Sequence, residues 1–505
     1  MRRAAALAIA LLAFAGRAHA RPDTPGTTEL FRFDPGDVVE SHPSPGGSFR
    51  VHYTRSGDNA VPALDESGVI GVPDHVEQVA AIYDEVLEAY VSRLGFRAPL
   101  SDASLGDNGG DARFDVYLLD FGGSADGSFR AEECGRDGAR PTQCVGFLVQ
   151  ENDFAGYGYP TIRYASRLLA SHELFHAVQA AYDTSEGSVL GEGTAVWASA
   201  AFDPSLRDLA AFSDGYLDNP DRPLDRPLPG PIDPFSYGAG IVFRFLEERH
   251  GAAIINALWE ECVEGEFLSA LDAVLARDHG SSLAAELREL AIWNLYTADR
   301  ADPARAYADG AMYERVAIEP VSLPYASEPP LRLFYASTQY LGAAPRGRAR
   351  VVGALTGDVP ESVTLRLAVR RGSVVTIAAG LEADASGADE VIAIVTNDAS
   401  SGESARPIVC FGDEDEVDAC LEPAMPDAGI GADAGADASA LDPDAGTVTP
   451  PAGGCSCRAT PARGRGALGV MALVLFVALQ RRGSRRAAPA RSPRGCRSRR
   501  RSAPE

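Results

Sequence analysis

The sequence predicts an α+β protein, in which a mixed region of strands and helices is followed by a helical region and then by a run of short strands. Residues 48–55 alternate between apolar and polar side chains, and residues 114–121 form an apolar run; both patterns are typical of strands. Residues 75–94 carry apolar side chains at helical spacing, and helical periodicity dominates again over residues 192–300. Beyond residue 316 the period changes to two, which predicts a small β-sandwich.

The bulk composition limits the classes of function. The chain of 505 residues is long enough for two or three domains, and a hydrophobic content of 45% predicts a sizeable core. The net charge of −25 argues against a nucleic-acid partner, because a surface that binds phosphates needs a positive field. We therefore expect a soluble, exported protein that binds no nucleic acid.

Residues 1–20 have the three parts of a secretory signal peptide. Two arginines stand near its start, an apolar stretch follows, and an Ala-His-Ala cleavage site ends it. The pattern predicts export and a processed chain that starts near Arg21. Residues 21–47 are rich in proline, glycine, threonine and acids, and we expect them to be a flexible entry or a short pro-segment.

Because exported proteins fold in an oxidising compartment, close pairs of cysteines predict disulfide bonds. Cys134 and Cys144 form one such pair and Cys410 and Cys420 form another, although spacing alone does not establish the pairing. Cys262 has no evident partner in the sequence and is expected to be buried.

The rest of the chain is organised around residues 171–179, which read S-H-E-L-F-H-A-V-Q. His172 and His176 are four residues apart, so a helix places both imidazoles on one face, one turn apart. Thr161 is a suitable N-cap for that helix. Two histidines at this spacing bind one zinc ion through nitrogen, and Glu173 between them reaches a water on the metal.

A catalytic zinc ion needs a third protein ligand and an open fourth position. Glu192, in the segment G-E-G-T-A-V-W, is the predicted third ligand, because it follows a glycine-broken turn at the start of the next helix. A carboxylate in that position also gains from the helix N-terminus. Glu186 is the rival ligand, and Asp183 is a weaker one.

These residue types predict the chemistry of a hydrolase. Zinc lowers the pKa of its water toward about 7 and polarises the scissile carbonyl. Glu173 takes the proton from that water and later passes it to the leaving amine. The oxyanion needs a further donor, and Tyr237 in F-S-Y-G-A-G is the predicted candidate, with a packed core tyrosine as the alternative interpretation.

The segments H-E-L-F-H-A-V-Q and E-G-T-A-V-W resemble the zincin superfamily, specifically the gluzincin-like secreted metalloproteases of bacteria, and the flanking sequences resemble a group of such proteases from myxobacteria. The resemblance covers residues 48–300. It implies a mixed sheet over the active-site helix in an upper subdomain, residues 48–191, and a helical lower subdomain, residues 192–314. It also implies that an edge strand of the sheet pairs with an extended peptide substrate, and residues 145–151 are the candidate strand.

The sequence departs from typical gluzincins in two features. The gap between His176 and Glu192 is shorter than usual, and Val196 stands where such proteases usually carry an acid. The sequence therefore identifies no side chain that orients the zinc-binding histidines.

The C-terminal part predicts surface display. Residues 315–422 are the expected β-sandwich domain, and residues 423–454, largely alanine, aspartate, glycine and proline, are the expected disordered stalk. Residues 455–482 contain a cysteine motif, a short apolar helix and an arginine cluster, and they resemble the myxobacterial sorting signal called MYXO-CTERM. The resemblance implies C-terminal sorting machinery as a partner, membrane insertion of the apolar helix before processing, and an outer-membrane-associated protein at the cell surface. Residues 483–505 are a basic tail.

Residues 106–111 read G-D-N-G-G-D and offer acids for a calcium ion. Their spacing matches no complete calcium loop, so a solvated turn is the preferred interpretation. Calcium (Ca2+) is a second, weaker cofactor prediction beside one zinc ion (Zn2+).

The leading hypothesis is a secreted, surface-displayed zinc metalloendopeptidase that acts on peptide or protein substrates. A surface-binding or adhesion protein with an inactive or structural zincin domain is the alternative from another class, and zinc-dependent hydrolysis of a non-peptide bond is a third hypothesis. Glu173 discriminates between the first two, because a structural zinc site has no use for a general base in that position.

Overall fold

The computed structural model describes residues 20–228, 233–402 and 404–422. Within these ranges the chain is a mixed α+β protein, as predicted, with one sheet near the N-terminus, a cluster of helices and two further sheets. Apart from Ala20, the predicted signal peptide, stalk, sorting signal and basic tail lie outside the described residues. No helix within the described ranges is both long enough and apolar enough to span a bilayer.

The strands of the first sheet are β1 (Glu40–Pro43), β2 (Phe49–Tyr53), β3 (Phe114–Leu119), β4 (Gly127–Cys134) and β5 (Cys144–Glu151). Their order is β1-β2-β3-β5-β4, in which β2, β3 and β5 are parallel and the two outer strands run antiparallel to their neighbours.

The edge of this sheet differs from the prediction. The strand expected at residues 145–151 lies inside the sheet, between β3 and β4, so its prediction as the substrate-binding edge is wrong. β4 forms the edge on that side of the sheet, and β1 forms the other edge. The sequence of β4, G-S-F-R-A-E-E-C, lacks the β-branched residues that favour strands, so the local pattern does not predict a strand there.

The helices α1 (Asp74–Leu87) and α2 (Ile162–Gln179) cover one face of the sheet, and α3 (Ser188–Phe202) packs on α2. The side chain of Thr161 accepts a hydrogen bond from the backbone of Tyr164, which confirms the predicted N-cap. Every residue of α2 from Leu168 onward is buried. The helix that carries the two histidines is therefore the centre of the core.

Residues 20–39 cover the opposite face of the sheet. Phe31 stacks on Phe121 with 3.9 Å between ring centroids, and Phe33 packs against the edge of Tyr117. The parallel strands β3 and β5 are thus buried on both faces, which explains their continuous apolar sequences.

The helices that follow are α4 (Asp208–Leu217), α5 (Pro234–Gly238), α6 (Gly240–His250), α7 (Ala253–Cys262), α8 (Phe267–Val274) and α9 (Leu283–Trp293). α4 and α5 meet through glycines. A Cβ atom at Gly215 would lie 1.9 Å from the carbonyl oxygen of Pro234, and one at Gly238 would lie 2.3 Å from the backbone nitrogen of Tyr216. Only glycine permits this approach, which fixes the place of Tyr237 on α5.

The C-terminal strands are β6 (Glu319–Val321), β7 (Tyr325–Ala326), β8 (Ser337–Ala343), β9 (Arg350–Asp358), β10 (Val363–Arg371), β11 (Val374–Ile377), β12 (Glu382–Asp384), β13 (Glu390–Asn397) and β14 (Arg406–Gly412), followed by the helix α10 (Glu414–Leu421). They form two sheets, of order β11-β10-β13-β8-β6 and β12-β9-β14-β7. Leu367 and Val395 from the five-stranded C-terminal sheet share one apolar core with Phe411 from the four-stranded sheet. The five-stranded C-terminal sheet also contributes Tyr340 and Ile394 to the core of the helical region.

Both predicted disulfide bonds are confirmed: Cys134 is joined to Cys144, and Cys410 to Cys420. The first connects β4 to β5, and the second connects β14 to α10. Cys262 is a free, buried thiol, as expected.

A buried arginine ties the N-terminal segment to the sheet. Arg21 is fully buried, and its guanidinium group binds the carboxylates of Asp102, Asp115 and Glu132. The distances are 2.5 Å to Asp102 and 2.7 Å to Glu132. Because one cation serves three buried acids, removal of the guanidinium leaves charges that burial strongly disfavours.

We expect the Arg21→Ala variant to lower the free energy of unfolding by about 3–5 kcal/mol, because it removes the partner of buried carboxylates. Urea unfolding followed by circular dichroism measures the change. Arg55→Ala is the matched control, since Arg55 binds Glu40 at the surface, where an ion pair contributes roughly 0.2–1 kcal/mol. An equally small loss in both variants would contradict the role assigned to Arg21.

Candidate metal centre

The two motif histidines lie on one face of α2, as their spacing predicts, and both are buried. Glu192 approaches them from α3. Its Oε2 atom is 3.1 Å from Nε2 of His172 and 3.5 Å from Nε2 of His176. Two imidazole nitrogens and one carboxylate oxygen therefore converge in the protein interior.

The two distances that Glu192 makes to the imidazole nitrogens fit neighbouring ligands of a tetrahedral zinc ion. Bonds of about 2.0–2.2 Å at tetrahedral angles place neighbouring nitrogen and oxygen ligands roughly 3.3 Å apart. The observed distances of 3.1 and 3.5 Å lie on either side of that value. Two histidines and one glutamate are also a donor set that zinc hydrolases use with an open fourth position.

The negative charge of Glu192 is stabilised by the two histidines rather than by a helix N-terminus. The sequence suggested that Glu192 stands at the start of its helix. α3 begins at Ser188, however, so Glu192 lies in the second turn. The field of a helix terminus fades beyond the first turn. Burial alone would raise the pKa of the Glu192 carboxyl, but His176 and His172 hold that pKa well below its usual range. The side chain is therefore an ionised carboxylate.

Glu173 provides a second buried carboxyl group beside the imidazoles. One ligand atom from each of His172, Glu173 and His176 lies within 4.8 Å of the others. The Oε2 atom of Glu173 accepts a hydrogen bond of 2.8 Å from the backbone N–H of Phe129, whereas Oε1 has no partner among the residues that the structure describes. Burial raises the pKa of Glu173 to about 8. Since Glu192 is the carboxylate paired with both imidazoles, the two acids occupy different places in the centre.

Gln179 orients His176, a role that the sequence analysis missed. Its Oε1 atom is 2.8 Å from Nδ1 of His176. Its amide nitrogen donates hydrogen bonds to the backbone oxygen of Gly191 at 2.7 Å and to Oγ1 of Thr194 at 3.0 Å. Because Gly191 precedes Glu192, Gln179 links the helix of the histidines to the helix of the carboxylate. Its position three residues after His176, on the same helix face, is the signal that sequence analysis can use.

Tyr237 also lies in the centre. Its ring stacks on that of His172, with 5.8 Å between centroids and 13° between the ring planes, and the residue is 5% exposed. Burial raises the pKa of Tyr237 well above its usual value, and the carboxylates of Glu192 and Glu173 add to the shift. Its hydroxyl therefore keeps its proton at neutral pH and is a hydrogen-bond donor.

The rival ligands have other surroundings. Asp183 accepts hydrogen bonds from the hydroxyls of Thr142 and Ser185. Glu186 lines a cavity together with Cys262. Within the described part of the chain, neither carboxylate forms an ion pair with the motif histidines.

The acids of the predicted calcium turn bind other side chains. Asp111 forms ion pairs with Arg50 and Arg113, and Asp107 accepts a hydrogen bond from Thr24. Calcium needs six to eight oxygen ligands, so an ion at this turn would have to displace the two guanidinium groups from Asp111.

We expect Gln179→Ala to weaken zinc binding about 10–100-fold, because the partner that orients a ligating histidine is lost. Competition with a chromophoric chelator measures the dissociation constant. Arg163→Ala, at an exposed position of the same helix, is the matched control and should leave the affinity unchanged. Equal affinities in the two variants would show that packing of α2 alone holds His176.

Comparison with known proteins gives no assignment. No protein-family model matches the chain, and no curated protein matches it either. The geometry of the buried centre is therefore the basis for a functional proposal.

Proposed function

We propose that the chain is a secreted, surface-displayed zinc metalloendopeptidase that hydrolyses peptide bonds. The observation that carries the proposal is the convergence of His172, His176 and Glu192, with the buried carboxyl of Glu173 beside them. The mixed sheet, the central helix α2 and the helical region after it agree with a zincin-like arrangement.

Zinc held by His172, His176 and Glu192 would supply Lewis acidity toward a carbonyl group and lower the pKa of a water molecule. The protein itself provides the proton transfers. The hydrogen bond from Phe129 fixes one oxygen of Glu173 and leaves Oε1 free for proton transfer. Burial favours the protonated form of Glu173, whereas the charge of a bound zinc ion would favour the ionised form, which accepts a proton from water and returns it to the leaving amine. The protonated hydroxyl of Tyr237 is the proposed donor to the developing oxyanion.

The edge of the first sheet offers a place for an extended substrate. In an antiparallel pair, the backbone groups of alternate residues point to the same side of a strand. The N–H of Phe129 points away from β5 and toward Glu173, so the backbone of Gly127 also faces outward. A peptide that pairs with β4 would therefore lie beside the metal centre. β4 replaces residues 145–151 as the proposed substrate strand.

Export and surface display are proposed from the sequence signals. The signal peptide and the sorting signal lie outside the residues that the structure describes, apart from Ala20. The two disulfide bonds suit a protein that folds in an oxidising compartment. We therefore propose the C-terminal sorting machinery and, before processing, the membrane as partners.

We expect Glu173→Gln to keep about one zinc per chain and to lose hydrolysis by roughly 10²–10⁴-fold, because an amide cannot take the proton. Elemental analysis gives the zinc content, and a casein or quenched-peptide assay gives the rate. Glu88→Gln, at an exposed position, is the matched control. Retained turnover in Glu173→Gln would remove its role as base, and zinc without any cleavage by the unmodified protein would favour the binding-protein alternative.

The two rival carboxylates are compared in a second pair of variants. We expect Glu192→Ala to weaken zinc binding at least about 100-fold, more than the loss of a supporting partner. Glu186→Ala should leave the affinity unchanged, since Glu186 lines a separate cavity. Equilibrium dialysis against zinc measures both variants. The reverse order of affinities would identify Glu186 as the ligand.

A further inference from the structure

Two buried carboxyl groups lie beside the metal centre without a role in the chemistry above. Asp126 immediately precedes β4 and is fully buried. Asp208 is the first residue of α4 and is 4% exposed. We call these two residues the acidic pair. One comes from the edge of the sheet and the other from the helical region.

Two tyrosines connect the members of the acidic pair. The hydroxyl of Tyr159 donates a hydrogen bond of 2.5 Å to Asp126. The rings of Tyr159 and Tyr164 are 6.4 Å apart, and the hydroxyl of Tyr164 accepts a hydrogen bond of 3.1 Å from the backbone of Arg207, next to Asp208. Because Tyr159 is partly exposed, Asp126 lies one side chain below the surface.

Asp208 lacks the partners that a buried carboxyl group normally has. It forms no ion pair with any residue of the described ranges, and its buried Oδ2 atom has no hydrogen-bond partner there. Burial raises the pKa of Asp208 to about 7, and the negative charge of Asp126 adds to the shift. A positive group from outside the chain would relieve both the burial and the repulsion.

The acidic pair is close to the reacting groups. Asp126 is three residues before Phe129, whose backbone holds the proposed general base. On α4, Phe212 lies one helical turn after Asp208, and its ring is 5.1 Å from that of Tyr237. Asp126 and Asp208 are therefore each linked to the metal centre through neighbouring residues, one along the sheet edge and the other along α4.

We propose that Asp126 and Asp208 form a subsite for a positively charged nitrogen group of the peptide substrate. The inference rests on the proposed peptidase function and extends it to the class of substrate. A peptide paired with β4 would pass Gly127, the residue after Asp126, within reach of the acidic pair. The bound group is a lysine or arginine side chain or a free α-amino group, because each donates charge-assisted hydrogen bonds to carboxylates.

Quenched peptides test the proposal and separate the two sources of charge. Each peptide carries lysine, leucine or glutamate at one position and is made with a free and with an acetylated N-terminus. For the zinc-loaded full chain, we expect kcat/KM at least about tenfold higher for the cationic peptide than for its neutral counterpart. A lysine preference that survives acetylation identifies a side chain, whereas a preference for the free N-terminus identifies the α-amino group.

The variant Asp208→Asn keeps the shape of the side chain and removes its charge. It should reduce the preference to less than about threefold while the zinc content stays unchanged. Asp214→Asn, at an exposed position of the same helix, is the matched control and should keep the full preference. No cationic preference in the unmodified protein, or an unchanged preference in Asp208→Asn, would overturn the proposal.

A protein that cleaves none of the peptides would count against the peptidase function and not against the subsite. Calorimetric titration of the same peptides into zinc-loaded Glu173→Gln then decides between the outcomes. The cationic peptide should bind at least about tenfold more tightly than the neutral one, and adding Asp208→Asn should remove the difference. Equal binding of cationic and neutral peptides would reject the subsite.

Discussion

Glu192 on α3 places a carboxylate beside two imidazoles of α2 in the interior, and this contact joins the two helices at the metal centre. A buried carboxylate is stable only beside a positive partner. Burial lowers the pKa of His172. Burial acts the same way on His176, but the charge of Glu192 outweighs it and raises the pKa of His176 to about 9. The core is therefore packed around one point that requires positive charge, whether from an imidazolium or from a metal ion.

Separate parts of the chain restrain the side chains around this point. Gln179 spans from α2 to α3 and fixes the ring of His176. The backbone of Phe129 at the sheet edge fixes one oxygen of Glu173. The close approach of α4 and α5 at glycines fixes Tyr237 against the ring of His172. Since these restraints come from rigid elements rather than from loops, the side chains of the centre are preorganised.

Local patterns in the sequence predicted the parts of this arrangement that are themselves local. Helical spacing brings His172 and His176 to one face, and the short gap after them leads to Glu192. The sheet edge was misassigned because the order of strands depends on contacts between distant segments, and β4 has little strand character of its own. Asp126 and Asp208 meet only through tertiary packing, so no sequence window contains the evidence for their proximity.

The burial of Arg21 has a consequence for the order in which the molecule forms. Its partners Asp102, Asp115 and Glu132 lie 81, 94 and 111 residues further along the chain. A polypeptide synthesised from its N-terminus cannot complete this cluster until residue 132 has emerged, and closing loops of such length costs entropy. Under the proposed export, the segment that begins at Arg21 would therefore dock on the sheet only after residue 132 has crossed the membrane.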